Sequence, residues 1–169
     1  MISEDALATQ VCQLICSDWK YTHEWKQWHQ YNGVIWLIDD TLEIESIIRT
    51  AIRSICLPLS TDAETFLSWR TLKAIKRLCQ SDRRIAMSNG QWDANTHFLA
   101  TPVGIVDLFT CKICPFQREF YQTNMVSFWP AQFPKWVDFI AAVQKDNPLL
   151  SFELDAALRQ EQKSEEPTK

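Results

Sequence analysis

Apolar and polar positions alternate along this chain with two periods, and each change of period marks an element. From Ser3 to Ser17 the apolar or small residues Ala6, Leu7, Val11, Leu14 and Ile15 form a rough helical stripe. After Glu24 the spacing shortens: Trp25, Gln27, Trp28, Gln30, Tyr31, then Asn32-Gly33, then Val34, Ile35, Trp36, Leu37 and Ile38. Asn-Gly favours positive φ at both central positions of a type I′ turn, whose twist matches the strands it joins. The pattern therefore predicts a hairpin with strands over 26–31 and 34–38.

Asp40-Thr41 then opens a helix, with Glu43 three residues after Asp40 in a capping arrangement. Its core side reads Ile44, Ile47, Ile48, Ala51, Ile52 and Ile55, and Pro58 stops it. A second helix is predicted over Asp62–Gln80, with Phe66, Leu67, Leu72, Ile75, Leu78 and Cys79 available for burial and a basic opposite face. Ser88-Asn89-Gly90 breaks the chain. Phe98 to Phe109, interrupted by Pro102 and Gly104, reads as a short, bent β element. Helices are expected from Pro134 to Lys145, with Trp136, Val137, Ile140 and Val143 facing one way, and from Pro148 to about Arg159. The charged tail 161–169 has no apolar anchor and is expected to fray. Helices and hairpins alternate without parallel βαβ logic, which predicts an α+β fold: one domain over 1–160, short β-hairpins packed with about four to six helices.

Composition narrows the class. The 169 residues are 46% hydrophobic and 12% aromatic with three glycines, which excludes disorder of the whole chain as well as collagen-like and coiled-coil architectures. Apolar runs such as Val34–Ile38 fall far below the roughly 18 residues that span a membrane. The acidic start Met1-Ile2-Ser3-Glu4-Asp5 does not read as a secretory signal, so the expected compartment is cytoplasmic, without membrane partners. Met1 and the charged tail suggest a complete reading frame. In that compartment Cys12, Cys16, Cys56, Cys79, Cys111 and Cys114 are read as reduced thiols. A net charge of −4 means that any nucleic-acid surface has to be a local basic patch.

Several chemistries find little support. Gly33, Gly90 and Gly104 are far apart and make no phosphate-cradling loop, which argues against a nucleotide-hydrolysing enzyme. Cys111-Lys112-Ile113-Cys114 has zinc-knuckle spacing but is half a site; Cys111 and Cys114 remain weak metal candidates, ordinary thiols are the simpler reading, and no cofactor is expected. His23, His29 and His97 lack a motif pairing them with a nucleophile, and Asp39-Asp40 point oppositely on an extended strand. The basic cluster carries more. Arg70, Lys73, Lys76, Arg77, Arg83 and Arg84 place six of seventeen positive charges within fifteen residues, interrupted by one acid, Asp82. On a helix Arg70, Lys73, Lys76 and Arg77 share one side, suited to neutralising phosphates with Trp69 available to stack on unpaired bases; a solvated helix face is the competing reading. Most of the eight tryptophans are expected in the core or at interfaces.

The order of motifs adds a resemblance. Trp25-x-x-Trp28-x-x-Tyr31-Asn32-Gly33-x-x-Trp36 before an Asp-initiated helix, then Trp92-Asp93-Ala94-Asn95, Phe98–Thr110 with Gly104, Asp107-Leu108 and Thr110, Tyr121-Gln122-Thr123, Phe128-Trp129-Pro130 and Phe133–Ile140, together resemble the domain preceding the helicase core in phage, plasmid and poxvirus primase-helicases of superfamily 3. Val103 stands where that family usually has Asn, and Cys111 where it usually has the Gly of a tight turn. The resemblance implies a collar above an ATPase ring that assists oligomerisation and DNA passage, and no catalytic residue transfers. The expectation is a non-enzymatic replication-associated module of a virus or mobile element such as a phage or plasmid. It would bind single-stranded DNA, a helicase or primase subunit, or both, and would be able to form a homo-oligomer. A protein-binding adaptor or helicase inhibitor without DNA affinity is the first alternative, and a metal-dependent hydrolase using Asp39, Asp40 or Cys111 the second.

Overall fold

In a computed structural model of the protein, which describes residues 3–57, 66–108, 110, 112–128, 130–133 and 135–146, the N-terminal stripe becomes helix α1 (Glu4–Ile15). Ser3 caps it, its hydroxyl accepting from the Ala6 N–H at 3.2 Å. Leu7, Ala8, Val11, Cys12 and Ile15 are buried, whereas Leu14 falls at the edge of that face and is exposed.

The chain divides into two compact units, one comprising Met1–Asn32 and Leu37–Gln91, the other Gly33–Trp36 and the chain from Trp92 onward. The first holds strands β1 (Trp19–Thr22), β2 (Gln27–Tyr31) and β4 (Ala86–Met87) and, of β3 (Trp36–Ile38), Leu37 and Ile38; the sheet order is β3-β2-β1-β4. The β2 and β3 neighbours match the predicted hairpin, but its turn is not type I′: Gly33 has φ +95° while Asn32 is not in the left-handed region. Strand pairing resumes only at Trp36, whose backbone N–H donates to the Gln122 carbonyl at 2.8 Å. A tighter hairpin lies upstream, where β1 runs antiparallel to β2 with Trp19 opposite Gln30 and Thr22 opposite Gln27. Its turn is made by Lys26 at φ +56°. The pairing of β4 with β1 through Tyr21 and Thr22 is parallel, so the expectation of no parallel connection fails for these two residues.

Helix α2 (Glu43–Cys56) ends before Pro58 as its sequence dictates, but its cap is not Asp40. Leu42 takes a left-handed φ of +61°, and the carboxylate that reaches back is Asp39, accepting from Glu43 N at 2.8 Å and Ile44 N at 3.1 Å. Helix α3 (Trp69–Ser81) starts later than predicted, at a Ser68 cap whose hydroxyl accepts from Thr71 N; residues 58–65 lie outside the described residues. Ile75 and Cys79 are fully buried and Leu72 partly so, whereas Leu78 is exposed. The core of this unit joins α1, α2, α3, β1, β2 and Ile85.

In the second unit β5 (Phe98–Thr101), β6 (Gly104–Asp107) and β7 (Lys112–Cys114) form an antiparallel meander, where the sequence pattern predicts a single short, bent β element over 98–109. Pro102-Val103 makes the first turn and the buried Thr101 hydroxyl donates to the Gly104 carbonyl at 2.7 Å. Helix α4 (Trp136–Asp146) buries Phe139, Ile140 and Val143 against Leu99, Val106, Leu108 and Val126. The rings of Phe128, Phe133 and Phe139 pack mutually edge to face. The helix expected over Pro148–Arg159 and the tail lie outside the described residues, as do the side chains of Trp129 and Trp136. Of the other six tryptophans, Trp19, Trp28, Trp36 and Trp92 are buried and Trp25 and Trp69 exposed. No helix among the described residues is long and apolar enough to cross a membrane.

Stability should respond at two positions. Gly104 sits at φ +148°, and a Cβ there would meet the Cys114 carbonyl oxygen at 2.6 Å and Ile113 Cγ2 at 2.8 Å. Gly104→Ala is expected to cost about 2–3 kcal/mol through backbone strain and overpacking, lowering the thermal midpoint by several degrees in a calorimetric scan. His29 is buried, and burial lowers its pKa from the ordinary 6.5, so folding disfavours its protonation. Below about pH 6.5 the unfolded chain takes up this proton more readily than the native state, so stability is full above that pH and declines as pH falls, by at most about 1.4 kcal/mol per pH unit. Urea midpoints at pH 7.5 and 5.5 should therefore differ more in the parent than in His29→Asn, about as far apart as this linkage allows.

Candidate nucleic-acid interface

The apolar stripe of α3 determines where its charges go. With Leu72, Ile75 and Cys79 turned inward at helical spacing, Trp69, Lys73, Lys76, Arg77 and Gln80 line the opposite boundary. On α2, Ile44, Ile48, Ala51 and Ile52 are buried, and Glu45 and Arg49 flank them one helical turn apart. Together the two helices enclose a groove of about 780 Å³. Its floor includes Ile48, Leu72 and Ala74; its walls carry Arg49, Arg70, Lys73, Lys76 and Arg77, with Glu45 the carboxylate among the lining residues. Trp69 stands at its edge with 65% of its surface exposed.

Five of the seven residues predicted for phosphate and base contact thus meet at one groove: Trp69, Arg70, Lys73, Lys76 and Arg77. Arg70, Lys73 and Arg77 are exposed, and among the described residues none of the three makes an ion pair. Lys76 is half-buried and donates to Glu45 Oε1 at 2.8 Å, while Glu45 Oε2 lies 3.9 Å from the Arg49 guanidinium. Arg83 and Arg84 do not line the groove. Arg83 is exposed on the turn after α3, and Arg84 is committed to Asp82, its Nε and terminal nitrogen donating to the two carboxylate oxygens at 2.9 and 2.7 Å. Those bonds hold the Asp82 carboxyl at about 2, and the same partner raises the Arg84 guanidinium above its ordinary value. Lys20 reinforces the turn by donating to the Arg84 carbonyl at 2.6 Å.

Sequence reasoning missed Glu45, Ile48 and Arg49, since their side of the groove lies some 20–30 residues away in sequence. The available signal was the i,i+4 spacing of Glu45 and Arg49 on the polar flank of α2.

The groups considered for catalysis or metal are dispersed. Asp39 caps α2, His29 sits in the core of the sheet, and the His23 ring bonds the Gln80 carbonyl at 2.8 Å. Cys114 is a half-buried free thiol on β7, and Cys111 lies outside the described residues. Cys12, Cys56 and Cys79 are buried, and the Cys12 thiol is raised by its bond with Cys79 and by burial. Among the described residues no three His, Cys, Asp or Glu side chains cluster as a metal site.

Several residues of the motif blocks that carried the resemblance have structural work in the second unit. The rings of Trp36, Trp92 and Tyr121 pack at 5.7 to 5.9 Å, and Trp36 Nε1 donates to the Arg118 carbonyl at 2.9 Å. The Asp93 carboxylate accepts from the Thr123 N–H at 2.8 Å, from the Thr123 hydroxyl and from Asn124 Nδ2. Asp107 accepts from the Thr110 hydroxyl at 2.7 Å, which accounts for the Asp-Leu-x-Thr spacing. No curated protein matches the chain at a significant level. The family model described as "D5 N terminal like" matches residues 8–145, most of the chain. The chain belongs to this family, the N-terminal domain of phage- and poxvirus-type primase-helicases.

Proposed function

We propose that this replication-associated module holds single-stranded nucleic acid in the α2–α3 groove and acts through binding rather than catalysis. The observation that carries the reading is the convergence of five cations from two helices, with an exposed tryptophan, around an apolar floor on a chain whose net charge is −4. Arg49, Arg70, Lys73 and Arg77 would neutralise successive phosphates, and acidic surface elsewhere would bias a polyanion towards this face. Trp69 offers a π-face at the edge of the groove. An unpaired base can take it, whereas bases in a duplex are already stacked on each other.

A second reading has its own observation. Leu37 and Ile38 on the edge strand β3, with Leu42 just beyond, are 45%, 52% and 60% exposed, an apolar stretch suited to a helicase or primase subunit or another copy of the chain. Self-assembly seen by light scattering, without affinity for oligonucleotides, would favour the adaptor over the nucleic-acid reading.

Fluorescence anisotropy with single-stranded and duplex oligonucleotides at two salt concentrations tests the groove. Lys73→Glu should weaken single-strand binding several-fold and lower the slope of log affinity against log salt by about 0.7 for each phosphate left unneutralised. Trp69→Ala should cost about 1–3 kcal/mol, roughly a factor of ten, against single strands and much less against duplex. Both side chains are exposed, so thermal midpoints should stay near the parent's. Absence of salt-sensitive binding at micromolar protein would overturn the proposal.

A further inference from the structure

The groove contains a competitor for its own ligand. Glu45 spends one oxygen on Lys76 of α3, at 2.8 Å, and turns the other towards Arg49 of its own helix, at 3.9 Å. The side chains of Glu45 and Lys76 keep about a quarter and a fifth of their surface in solvent, and Arg49 keeps 40%. A pair held between solvent and interior contributes modestly to stability, because the loss of hydration offsets much of the attraction and two long side chains lose freedom in making it. The α2–α3 packing does not need it: Ile44, Ile48 and Ile52 of α2 and Ile75 of α3 are fully buried in the shared core.

From this we infer that Glu45 is an affinity-setting residue, a carboxylate that occupies the phosphate positions of Lys76 and Arg49 until a polyanion displaces it. The inference rests on the nucleic-acid reading of the groove and adds a division of labour within it. Arg70, Lys73 and Arg77 meet the strand first, since among the described residues no carboxylate pairs with them. Lys76 and Arg49 join when a phosphate replaces Glu45. An isolated anion gains little by that exchange, trading one carboxylate for one anion at the same cations. A strand already held at Arg70, Lys73 and Arg77 presents its next phosphate at high local concentration and completes the exchange. Glu45 thereby favours extended polyanions over single anions.

The test uses the full chain and a fluorescein-labelled oligothymidylate titrated at several salt concentrations. Glu45→Gln keeps the shape and a hydrogen-bond acceptor for Lys76 while removing the charge. It should bind roughly three- to tenfold more tightly at low salt, with a salt slope steeper by about 0.7–1.4, the counterion release of one or two further phosphates. Lys76→Ala should cost little in the parent and most of that gain in the Glu45→Gln background, a non-additivity that a bracing role would not produce. Unchanged or weaker binding by Glu45→Gln, in a parent that binds, overturns the role of Glu45 and leaves the groove standing. Binding by Glu45→Gln alone supports the inference. Binding by neither protein, with both folded by circular dichroism, overturns the groove and this inference together.

Discussion

The inward burial of Ile75 and Cys79 is the constraint on which the basic face of α3 depends. These residues are wholly withdrawn from water, and the Cys79 thiol reaches the Ala8 carbonyl of α1 at 3.9 Å. Burial of a side chain such as Ile75 is worth about 2 kcal/mol, more than any exposed ion pair on the same helix. A helix has one rotational freedom about its axis, and this burial removes it. Lys73 and Arg77 are then carried to one boundary with Trp69, where α2 supplies the opposing wall. The cations gather because apolar residues on the other face have a stronger claim to the interior.

The family match over residues 8–145 runs through both units of the chain. Several residues of the resembling motifs have structural roles in the second: the Trp36, Trp92 and Tyr121 rings, the Asp93 carboxylate pinning Thr123, Gly104 under the Cys114 carbonyl, and Asp107 closing onto Thr110. Each satisfies a packing or turn-forming requirement of the second unit. The groove lies in the first unit and is made of charged side chains whose individual identities the backbone does not dictate. The replication context follows from the family match over residues 8–145, and the strand-binding proposal from the groove.

Where local pattern and structure part, competing interactions explain it. Asp40 has the spacing of a cap, yet Leu42 turns left-handed, which lengthens the lead-in and brings Asp39 to the exposed N–H groups of Glu43 and Ile44. Asn32-Gly33 has the composition of a two-residue turn, yet the Trp36 N–H bonds the carbonyl of Gln122, far along the chain, and the loop widens accordingly. The short parallel pairing of β4 with β1 closes around α2 and α3, a connection too long for any window of periodicity to register. Arg84 belongs by sequence to the basic cluster, and a carboxylate two residues before it takes its charge into a turn.

Read alone, the residues determined what depends on near neighbours: the helical stripe of α1, the isoleucine face of α2, a β element over 98–109 interrupted at Pro102 and Gly104, the preference of most tryptophans for the interior, and a cationic strip on α3. Those properties arise within a turn or two of chain, where side-chain period and backbone sterics suffice. Tertiary structure decided which cations share a groove, that Arg49 joins them, that Arg84 leaves them, and that Glu45 stands between Lys76 and Arg49. Such choices belong to packing between helices, because the distance from α2 to α3 is set by buried volume and not by spacing along the sequence.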